Sequence, residues 1–312
     1  GDAVEVLEAS PHRVTAPCPY AGPGACGGCD FQHVEPTHQR ELKAAVVTEQ
    51  LFRLAGIHRA VDVERVDPLL GWRSRMQYVD LPDGGRGLRK HRSHEVVAID
   101  TCLIDASSTP TPVVEEVALQ PSRNLRTETV ETAHGTHTFD VEPNGFWQPH
   151  VAAPRVLVDA VLDGLQPRSG ESVVDLYAGV GLFAAYLSDV VGPDAEVTAV
   201  EGDRQAAAHA ADNLGRETIA ADVQEWLESD VVPDHADLVV LDPPRTGAKR
   251  RVVEGIVGLS PRSVAYVACD PAALARDLAI FAEHGYRLTG LRAFDLFPMT
   301  HHVECVAVLE RG

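Results

Sequence analysis

A single cysteine at the end of a predicted strand is the residue of this chain best suited to covalent chemistry. The apolar run of residues 263–268 predicts a buried parallel strand, and Cys269 follows it directly. Asp270 and Pro271 predict the N-cap and first turn of a helix, whose dipole favours a thiolate, although the charge of Asp270 opposes it. A thiol at this edge of a parallel sheet has the location of a nucleophile in an α/β enzyme. The alternative is a small buried residue that ends a strand.

Two carboxylates accompany other predicted strands. Asp242 follows the apolar run of residues 238–241 and opens the sequence Asp-Pro-Pro-Arg, which ends at Arg245. Glu304 lies in an apolar terminal strand, where burial without a partner is costly. The alternatives are a structural turn with a surface salt bridge for the first and a capped sheet edge for the second.

A thiol and a carboxylate base are the groups required to methylate C5 of uracil. Thiolate addition at C6 makes C5 nucleophilic, and a base then removes the C5 proton before the thiolate leaves. Methylation of cytosine at C5 also uses a cysteine.

A glycine-containing turn predicts a nucleoside-cofactor site. Residues 175–181 close a strand with Gly179 and Gly181, which permit close backbone approach to a ligand at a helix N-terminus. Glu201 ends the next strand, where a carboxylate can hold a ribose diol, and Asp222 ends the third, where it can meet an adenine amine. These acids favour S-adenosylmethionine, which is cationic, over a dinucleotide with a pyrophosphate. An NAD site or plain turn glycines are the alternatives.

Three of the six cysteines are clustered near the N-terminus. Cys18, Cys26 and Cys29 are separated by seven and two residues among glycines and prolines, and Cys102 can supply a fourth thiolate. Four thiolates suit a tetrahedral zinc ion or a [4Fe–4S] cluster. Because a zinc ribbon usually repeats the Cys-x-x-Cys pair, the cluster is favoured. Structural cysteines are the alternative, and Cys305 is expected to pack in a strand.

The elements that must position these residues predict two regions. A helix fits residues 36–55, short strands fit 61–104, a loop fits 105–127 and a hairpin fits 128–142. From about residue 145 strands and helices alternate, which predicts an α/β fold with a doubly wound sheet of about seven strands. The last two strands are expected to form an antiparallel hairpin at the sheet edge.

The net charge of −19 argues against broad electrostatic capture of nucleic acid. Residues 71–95 nevertheless carry six positive against three negative charges, which predicts a local basic patch. The sequence predicts neither a transmembrane helix nor a signal peptide. The default expectations are a cytoplasmic location and a monomer.

Taken together, these motifs resemble those of the RNA (uracil-C5) methyltransferases, specifically the iron–sulfur members that modify 23S ribosomal RNA. The resemblance runs from about Arg13 to the C-terminus. It also includes Phe146-Trp-Gln148, Cys-Asp-Pro-Ala at residues 269–272 and Phe-Pro-x-Thr at residues 297–300. His150 and Leu182 stand where the family often has asparagine.

The resemblance implies a class I (Rossmann-like) methyltransferase with a smaller β-rich iron–sulfur domain, in which Cys269 is the nucleophile and Glu304 the base. It assigns S-adenosylmethionine binding to Gln148, Tyr177, Gly179, Glu201, Asp222 and Asp242. It assigns a [4Fe–4S] cluster to Cys18, Cys26, Cys29 and Cys102. Phe146 and Arg245 are expected to meet the RNA, with Phe146 near a uridine that has left its stack.

The resemblance also implies a domain organisation. Residues 1–17 are expected to be the remnant of an N-terminal TRAM-like domain. Residues 18–31 and 64–144 are expected to form the central iron–sulfur and RNA-binding domain, and residues 32–63 and 145–312 the catalytic domain. The expected substrate is 23S ribosomal RNA, with transfer RNA as an alternative. A methyltransferase for protein or small molecules and a non-catalytic RNA-binding module are the other hypotheses.

Overall fold

The predicted alternation of strands and helices forms one large sheet in the computed structural model, which describes residues 5–82, 84–91, 93–108 and 125–312. Within those residues the α-helices are α1 (Pro36–Ala55), α2 (Ala153–Leu165), α3 (Leu182–Val191), α4 (Arg204–Leu214), α5 (Val223–Leu227), α6 (Lys249–Gly258) and α7 (Pro271–Glu283). A 3₁₀ helix spans Ala106–Ser108. The strands are β1 (Val63–Arg65), β2 (Val79–Asp80), β3 (Arg86–Arg89), β4 (Val96–Ile99), β5 (Arg126–Thr132), β6 (Gly135–Val141), β7 (Val173–Leu176), β8 (Val197–Glu201), β9 (Ile219–Ala220), β10 (Leu238–Leu241), β11 (Ser263–Ala268), β12 (Tyr286–Asp295) and β13 (Glu304–Arg311).

The large sheet has eight strands in the order β1-β12-β13-β11-β10-β7-β8-β9. β13 is antiparallel to both of its neighbours, and the other pairs are parallel. The prediction of about seven strands was therefore one short, because β1 has only three residues and a single buried side chain. The β12–β13 hairpin forms as predicted, but β1 covers β12, so the hairpin is not at the edge.

Helices cover both faces of this sheet. α2 and α3 pack on one face, and α1, α6 and α7 pack on the other. Every residue of β7, β10 and β11 is buried, as expected for central strands covered on both sides. Local signals at the strand ends also behave as predicted, since the Asp270 side chain accepts a hydrogen bond from the Ala273 N–H (2.8 Å) and Pro271 begins α7.

The smaller region contains the three-stranded antiparallel sheet β2-β3-β4 and a small core of Trp72, Ile99, Cys102 and Ile104. The β5–β6 hairpin also forms as predicted. Its buried residues, such as Phe139 and Val141, pack in the same core as α2 and α3 rather than with β2-β3-β4. The expected division between residues 63 and 64 falls inside β1, a strand of the large sheet.

Parts of the sequence predictions fall outside the described residues. These are residues 1–4 of the expected TRAM-like remnant, Arg92 of the basic stretch and residues 109–124 of the expected loop. Among the residues that are described, none of the helices has the length and apolar composition needed to cross a membrane.

Candidate active site

A cavity of about 940 Å³ opens where β7, β8, β10 and β11 end. This is the edge of an open α/β sheet where ligands bind. Its lining contains all but one of the residues predicted to act in catalysis, cofactor binding or substrate binding: Phe146, Gln148, Tyr177, Gly179, Glu201, Asp242, Arg245, Cys269 and Glu304. Side chains from six separate segments of the sequence therefore meet in one place.

Cys269 and Glu304 meet across two neighbouring strands. Ala268 of β11 pairs with Cys305 of β13, and continuing that antiparallel register places Cys269 opposite Glu304. Glu304 is 4% exposed. The thiol and the carboxyl group therefore share one wall of the cavity.

The surroundings of Cys269 favour the neutral thiol. Its pKa is raised to about 11, because burial and then the charges of Glu304 and Asp242 raise it more than Arg245 lowers it. The expected effect of the α7 dipole is thus outweighed by burial and by two carboxylates. A positive charge placed in this cavity would reverse the balance and favour the thiolate.

The carboxyl groups of Asp242 and Glu304 both have raised pKa values in this cavity. Burial raises the pKa of Glu304 well above its ordinary value, the Asp242 charge adds to this, and Arg245 opposes it. Burial likewise raises the pKa of Asp242 to about 7, although the Gln148 amide, whose Nε2 donates to Asp242 Oδ2 (3.1 Å), opposes the shift. Carboxyl groups in this state can hold or accept a proton near neutral pH.

The glycine turn after β7 is held by a carboxylate at the next strand. Glu201 accepts hydrogen bonds from the N–H groups of Gly179 (2.8 Å) and Asp203 (2.7 Å). Gly181 has φ 92°, and a Cβ there would lie 3.0 Å from Leu214 Cγ, so both the conformation and the space require glycine. The turn leaves room for a ligand against the backbone at the start of α3.

Asp222 is the predicted cofactor residue that does not line the cavity. It is exposed and caps α5, where its Oδ1 accepts a hydrogen bond from the Glu225 N–H (3.0 Å). It lies near Tyr177, whose pKa rises to about 12 because of burial and the charges of Asp222 and Asp277. Contact between Asp222 and an adenine amine stays a prediction.

Phe146 projects at the cavity mouth and is 67% exposed. Its loop is tied to the smaller region, because the Arg75 guanidinium donates to the carbonyls of Gly145 and of Glu142 (3.2 Å for the latter). Arg75 was predicted to belong to a basic patch, but it holds this loop. An exposed ring beside a deep cavity is suited to stacking on a base.

Several cations of the predicted basic stretch are engaged within the protein. Arg86 stacks on Tyr78, with its guanidinium carbon 4.3 Å from the ring centroid. Lys90 pairs with Glu95 at 2.6 Å. These contacts reduce the positive charge that this stretch offers to a partner.

Two further groups line the cavity and were not assigned a role from the sequence. Phe297 forms part of the wall, and the Phe-Pro-x-Thr motif that contains it was the available signal. His209 Nε2 lies 3.0 Å from Glu142 Oε1, but His209 lies within α4 and Glu142 follows β6, 67 residues earlier in the sequence, so no local signal identified the pair.

A second cavity, of about 340 Å³, is lined by all four predicted cluster ligands, Cys18, Cys26, Cys29 and Cys102. The pKa of Cys29 is raised to about 12, because burial and the charges of the other three cysteines raise it more than a Gln32 hydrogen bond lowers it. In the described part of the chain, no three side chains of His, Cys, Asp or Glu are arranged to hold a single metal ion.

The loop around these cysteines is held by specific local contacts. Gln32 is 3% exposed and accepts a hydrogen bond from the Cys18 N–H (3.0 Å). Gly27 packs against a second backbone segment, and a Cβ there would lie 2.3 Å from the His91 nitrogen. Glycine is therefore required for this loop to approach β3 and β4.

Comparison with known proteins agrees with this geometry. Residues 230–312 match the tRNA (uracil-5-)-methyltransferase family, and residues 154–263 match the methyltransferase small domain. An uncharacterized RNA methyltransferase of Streptomyces avermitilis is 43% identical, with 99% of this chain and 86% of the relative covered. The 23S rRNA (uracil(1939)-C(5))-methyltransferase RlmD of Alkalilimnicola ehrlichii is 32% identical, with 99% of this chain and 85% of the relative covered.

A solved structure supports the fold. The tRNA (uracil-54, C5)-methyltransferase of Pyrococcus abyssi, crystallised with S-adenosyl-L-homocysteine, superposes with a TM-score of 0.71 over 98% of this chain and 88% of that one, at 22% identity. The large sheet is thus that of a class I methyltransferase, as predicted. The chain belongs to the RNA (uracil-5-)-methyltransferase family of S-adenosylmethionine-dependent enzymes.

Proposed function

We propose that this enzyme methylates C5 of a uridine in 23S ribosomal RNA through a covalent bond between Cys269 and C6 of the base. The observation that carries the proposal is the position of Cys269 opposite Glu304, in the same cavity as the Gly179–Gly181 turn. A nucleophile, a base and a nucleoside-binding turn are the parts that this reaction needs.

The proposed reaction balances as follows. The Cys269 thiolate adds to C6, and the electron pair moves to C5. S-adenosylmethionine, when bound, would supply an electrophilic methyl group for that carbon, with the electron pair of the broken S–CH3 bond leaving on S-adenosylhomocysteine. Glu304, as carboxylate, then takes the C5 proton, the C5–C6 double bond re-forms, and the thiolate leaves.

The charges of the cavity support this order of events. Without a ligand, Cys269 and Glu304 both hold their protons more tightly than usual, since their surroundings are buried and acidic. Gln148, Tyr177, Glu201 and Asp242 are the residues we expect to hold the cofactor. A cationic ligand beside Asp242 offsets the carboxylate charges and thereby favours ionisation of both reacting groups.

Phe146 and Arg245 are proposed to receive the RNA. Both lie at the cavity mouth and are exposed. The Phe146 ring can stack on a base that has left its helix, and the Arg245 guanidinium can bind a phosphate. The nearby charge of Arg245 also opposes the upward pKa shifts of Cys269 and Glu304.

The substrate is inferred from the relatives. The relative at 32% identity has a name that specifies 23S ribosomal RNA, whereas the structural neighbour at 22% identity has a title that specifies transfer RNA. The higher identity favours ribosomal RNA. Transfer RNA is the second candidate.

The direct experiment is methyl transfer to unmodified 23S and transfer RNA transcripts, with nucleosides identified by mass spectrometry. We expect 5-methyluridine in 23S RNA, none in transfer RNA, and none in either RNA with Cys269→Ala. Product on transfer RNA alone would overturn the substrate assignment. Product with the Cys269→Ala variant would overturn the covalent mechanism.

We also propose that Cys18, Cys26, Cys29 and Cys102 hold a [4Fe–4S] cluster. Their thiols line one cavity, and four thiolates are a suitable donor set. The single Cys-x-x-Cys pair favours a cluster over zinc, because a zinc ribbon usually repeats that pair.

Metal analysis of anaerobically purified protein tests this second proposal. We expect about four iron and four sulfide ions per chain, and their loss in Cys29→Ser. Cys305→Ala is the matched control, because Cys305 is buried in β13 away from this cavity and should leave the iron content unchanged. One zinc ion per chain, or no metal, would contradict the cluster.

A further inference from the structure

The loop of residues 296–303 joins β12 to β13 and delivers Glu304 to the cavity. Glu304 is the first residue of β13, so its position depends on how this loop enters the strand. Phe297, near the other end of the loop, forms part of the cavity wall. Whatever fixes this loop therefore fixes both the proposed base and the wall beside it.

Helix α1 fixes the start of the loop through a buried lysine. Lys43 Nζ lies 2.5 Å from Asp295 Oδ1, and the two side chains are 0% and 2% exposed. The same Nζ donates to the Phe297 carbonyl at 3.1 Å. A buried ion pair is weak evidence for net stability, so stability alone does not explain why Lys43 and Asp295 form one here.

The same helix fixes the middle of the loop through a buried amide. Gln39 Oε1 accepts from the Met299 N–H (2.9 Å), while its Nε2 donates to the carbonyls of Phe31 (3.1 Å) and Val34 (2.9 Å). Met299 has φ 67°, a conformation that costs energy for a residue other than glycine and persists only when its surroundings impose it. Gln39 is one of the contacts that impose it.

The cysteine-rich segment holds the loop from a third side. The Phe31 N–H donates to the Met299 carbonyl (2.9 Å), and the His301 N–H donates to Asp30 Oδ1 (2.9 Å). Phe297 also packs edge-on against Trp72, with ring centroids 6.2 Å apart. The loop is therefore held by α1, by the segment after Cys29 and by the small core.

We propose that Gln39 and Lys43 are positioning residues for Glu304, and that they act through the loop of residues 296–303. Neither residue lines the cavity, so neither contacts the substrate. Their role is to keep the carboxyl group where it can take the C5 proton. This inference rests on the proposed function of Glu304 as the base.

The variant that tests it is Gln39→Met, which keeps the length of the side chain and removes the hydrogen bonds that the Gln39 amide forms with Phe31, Val34 and Met299. A displaced base slows proton removal without slowing thiolate addition, so the methylated protein–RNA adduct should accumulate. A displacement of about 1 Å is expected to lower turnover by about 100-fold. Adduct is measured as a slow-migrating band, and proton removal as tritium released from uridine labelled at C5.

Two controls separate positioning from a general loss of structure. Gln50→Met makes the same change on α1 at a half-buried site that forms no hydrogen bond with the loop, and it should behave as wild type. The double variant Lys43→Met/Asp295→Leu replaces the ion pair by apolar side chains of similar volume, which preserves folding in comparable cases. It removes the Phe297 contact and should also accumulate adduct, with cofactor affinity within about two-fold of wild type.

Either of two results for Gln39→Met overturns the inference. One is a fall in turnover that matches the fraction of unfolded protein, with no adduct. The other is turnover equal to that of Gln50→Met. Glu304→Gln separates the proposed role of Glu304 as the base from the proposed positioning role of Gln39 and Lys43. If Glu304→Gln accumulates adduct and Gln39→Met does not, only the positioning role fails. If Glu304→Gln accumulates none, the proposed base is wrong, and the positioning role fails with it.

Discussion

The two cavities of this molecule are built in opposite ways. Asp242, proposed to hold the cofactor, and the proposed nucleophile and base, Cys269 and Glu304, stand at the ends of strands in an eight-stranded sheet whose central strands are buried on both faces. The cysteines stand on loops beside a three-stranded sheet with a core of four buried side chains. The first cavity is held by the large sheet, whereas the second depends on a small core and on a few contacts between loops.

The two regions also meet at a seam formed by residues 72–74 and 149–151. Trp72 of the small core stacks on His150, with ring centroids 5.7 Å apart, and the Val151 N–H donates to the Trp72 carbonyl (2.8 Å). Ser74 donates from its backbone N–H to the Pro149 carbonyl (2.8 Å). The loop that carries Phe146 and Gln148 into the catalytic cavity is thus fastened to the region that holds the cysteines.

The largest effect on activity is expected for Cys269→Ala. Removing the nucleophile should lower methyl transfer by at least about 10⁴-fold. Because the catalytic cavity is held by the sheet, the thermal midpoint and the affinity for S-adenosylhomocysteine, measured by calorimetry, should stay unchanged. A large loss of cofactor affinity would show that Cys269 also supports the cofactor site and that the cavity is less rigid than its strands indicate.

The second largest effect is a loss of folding stability in acid, and it arises at His150 in the seam between the regions. His150 is fully buried, and burial lowers its pKa from 6.5 to about 4, against the opposing effects of the Pro68 carbonyl and Asp67. Between pH 6.5 and 4 the unfolded chain therefore binds a proton that the folded chain does not. Stability is complete above pH 6.5 and falls as the pH decreases toward 4, by about 3 kcal/mol in total.

Denaturant unfolding at a series of pH values measures this loss, and His150→Asn is the matched variant. Asparagine can accept the Ala152 N–H bond that His150 Nδ1 accepts at 3.0 Å, and it does not titrate. Its stability should fall less steeply with acid. Because His302 has a similarly lowered pKa, some dependence should remain. Identical slopes for the two proteins would contradict the assignment to His150.

The difference between the cavities also explains what the sequence could predict. Near Cys269 the signals are local: an apolar run gives β11, Asp270 caps α7, and Pro271 begins it. Such signals lie within a few residues of the site, so the strand end that carries Cys269 and the helix that follows it were predicted close to their observed positions. The same holds for Glu304, where a carboxylate in an apolar strand indicated a special role.

What could not be predicted depends on distant contacts. β1 is too short to give a pattern and exists because it pairs with β12, more than two hundred residues away in sequence. The role of Arg75 in holding the Gly145 carbonyl was hidden because arginine in a basic stretch is usually solvent-exposed. Asp222 was assigned from its place after a strand, but that place equally suits the N-cap of α5, where it is found.

The contrast in stability between the regions can be tested with one chemical change made twice. Cys102→Ser in the small core should raise hydrogen exchange in β3 and β4 while β10 and β11 stay protected. Cys305→Ser buries a hydroxyl in the large sheet and should lower global stability by about 1–3 kcal/mol. If Cys102→Ser also raises exchange in β10 and β11, the two regions unfold together, and the large sheet is not more stable than the small core.

The smallest effect is expected for Phe146→Ala. The loop that carries this ring is bonded to Arg75 of the smaller region and lines the cavity of the large sheet, but the ring itself is buried in neither core. Stacking of a base on an aromatic ring contributes about 1–3 kcal/mol, so kcat/KM for RNA should fall by about 10-fold or more. Stability and cofactor affinity should not change, because the ring is 67% exposed. Phe146→Tyr keeps the ring and should retain most activity, whereas Phe146→Leu keeps apolar surface without it. Equal activity of the leucine and tyrosine variants would mean that the cavity mouth recognises RNA by apolar contact alone. In that case the loop held by Arg75 would serve to orient Gln148, which binds Asp242, and not to stack on a base. The contact between the two regions would then support cofactor binding instead of RNA binding.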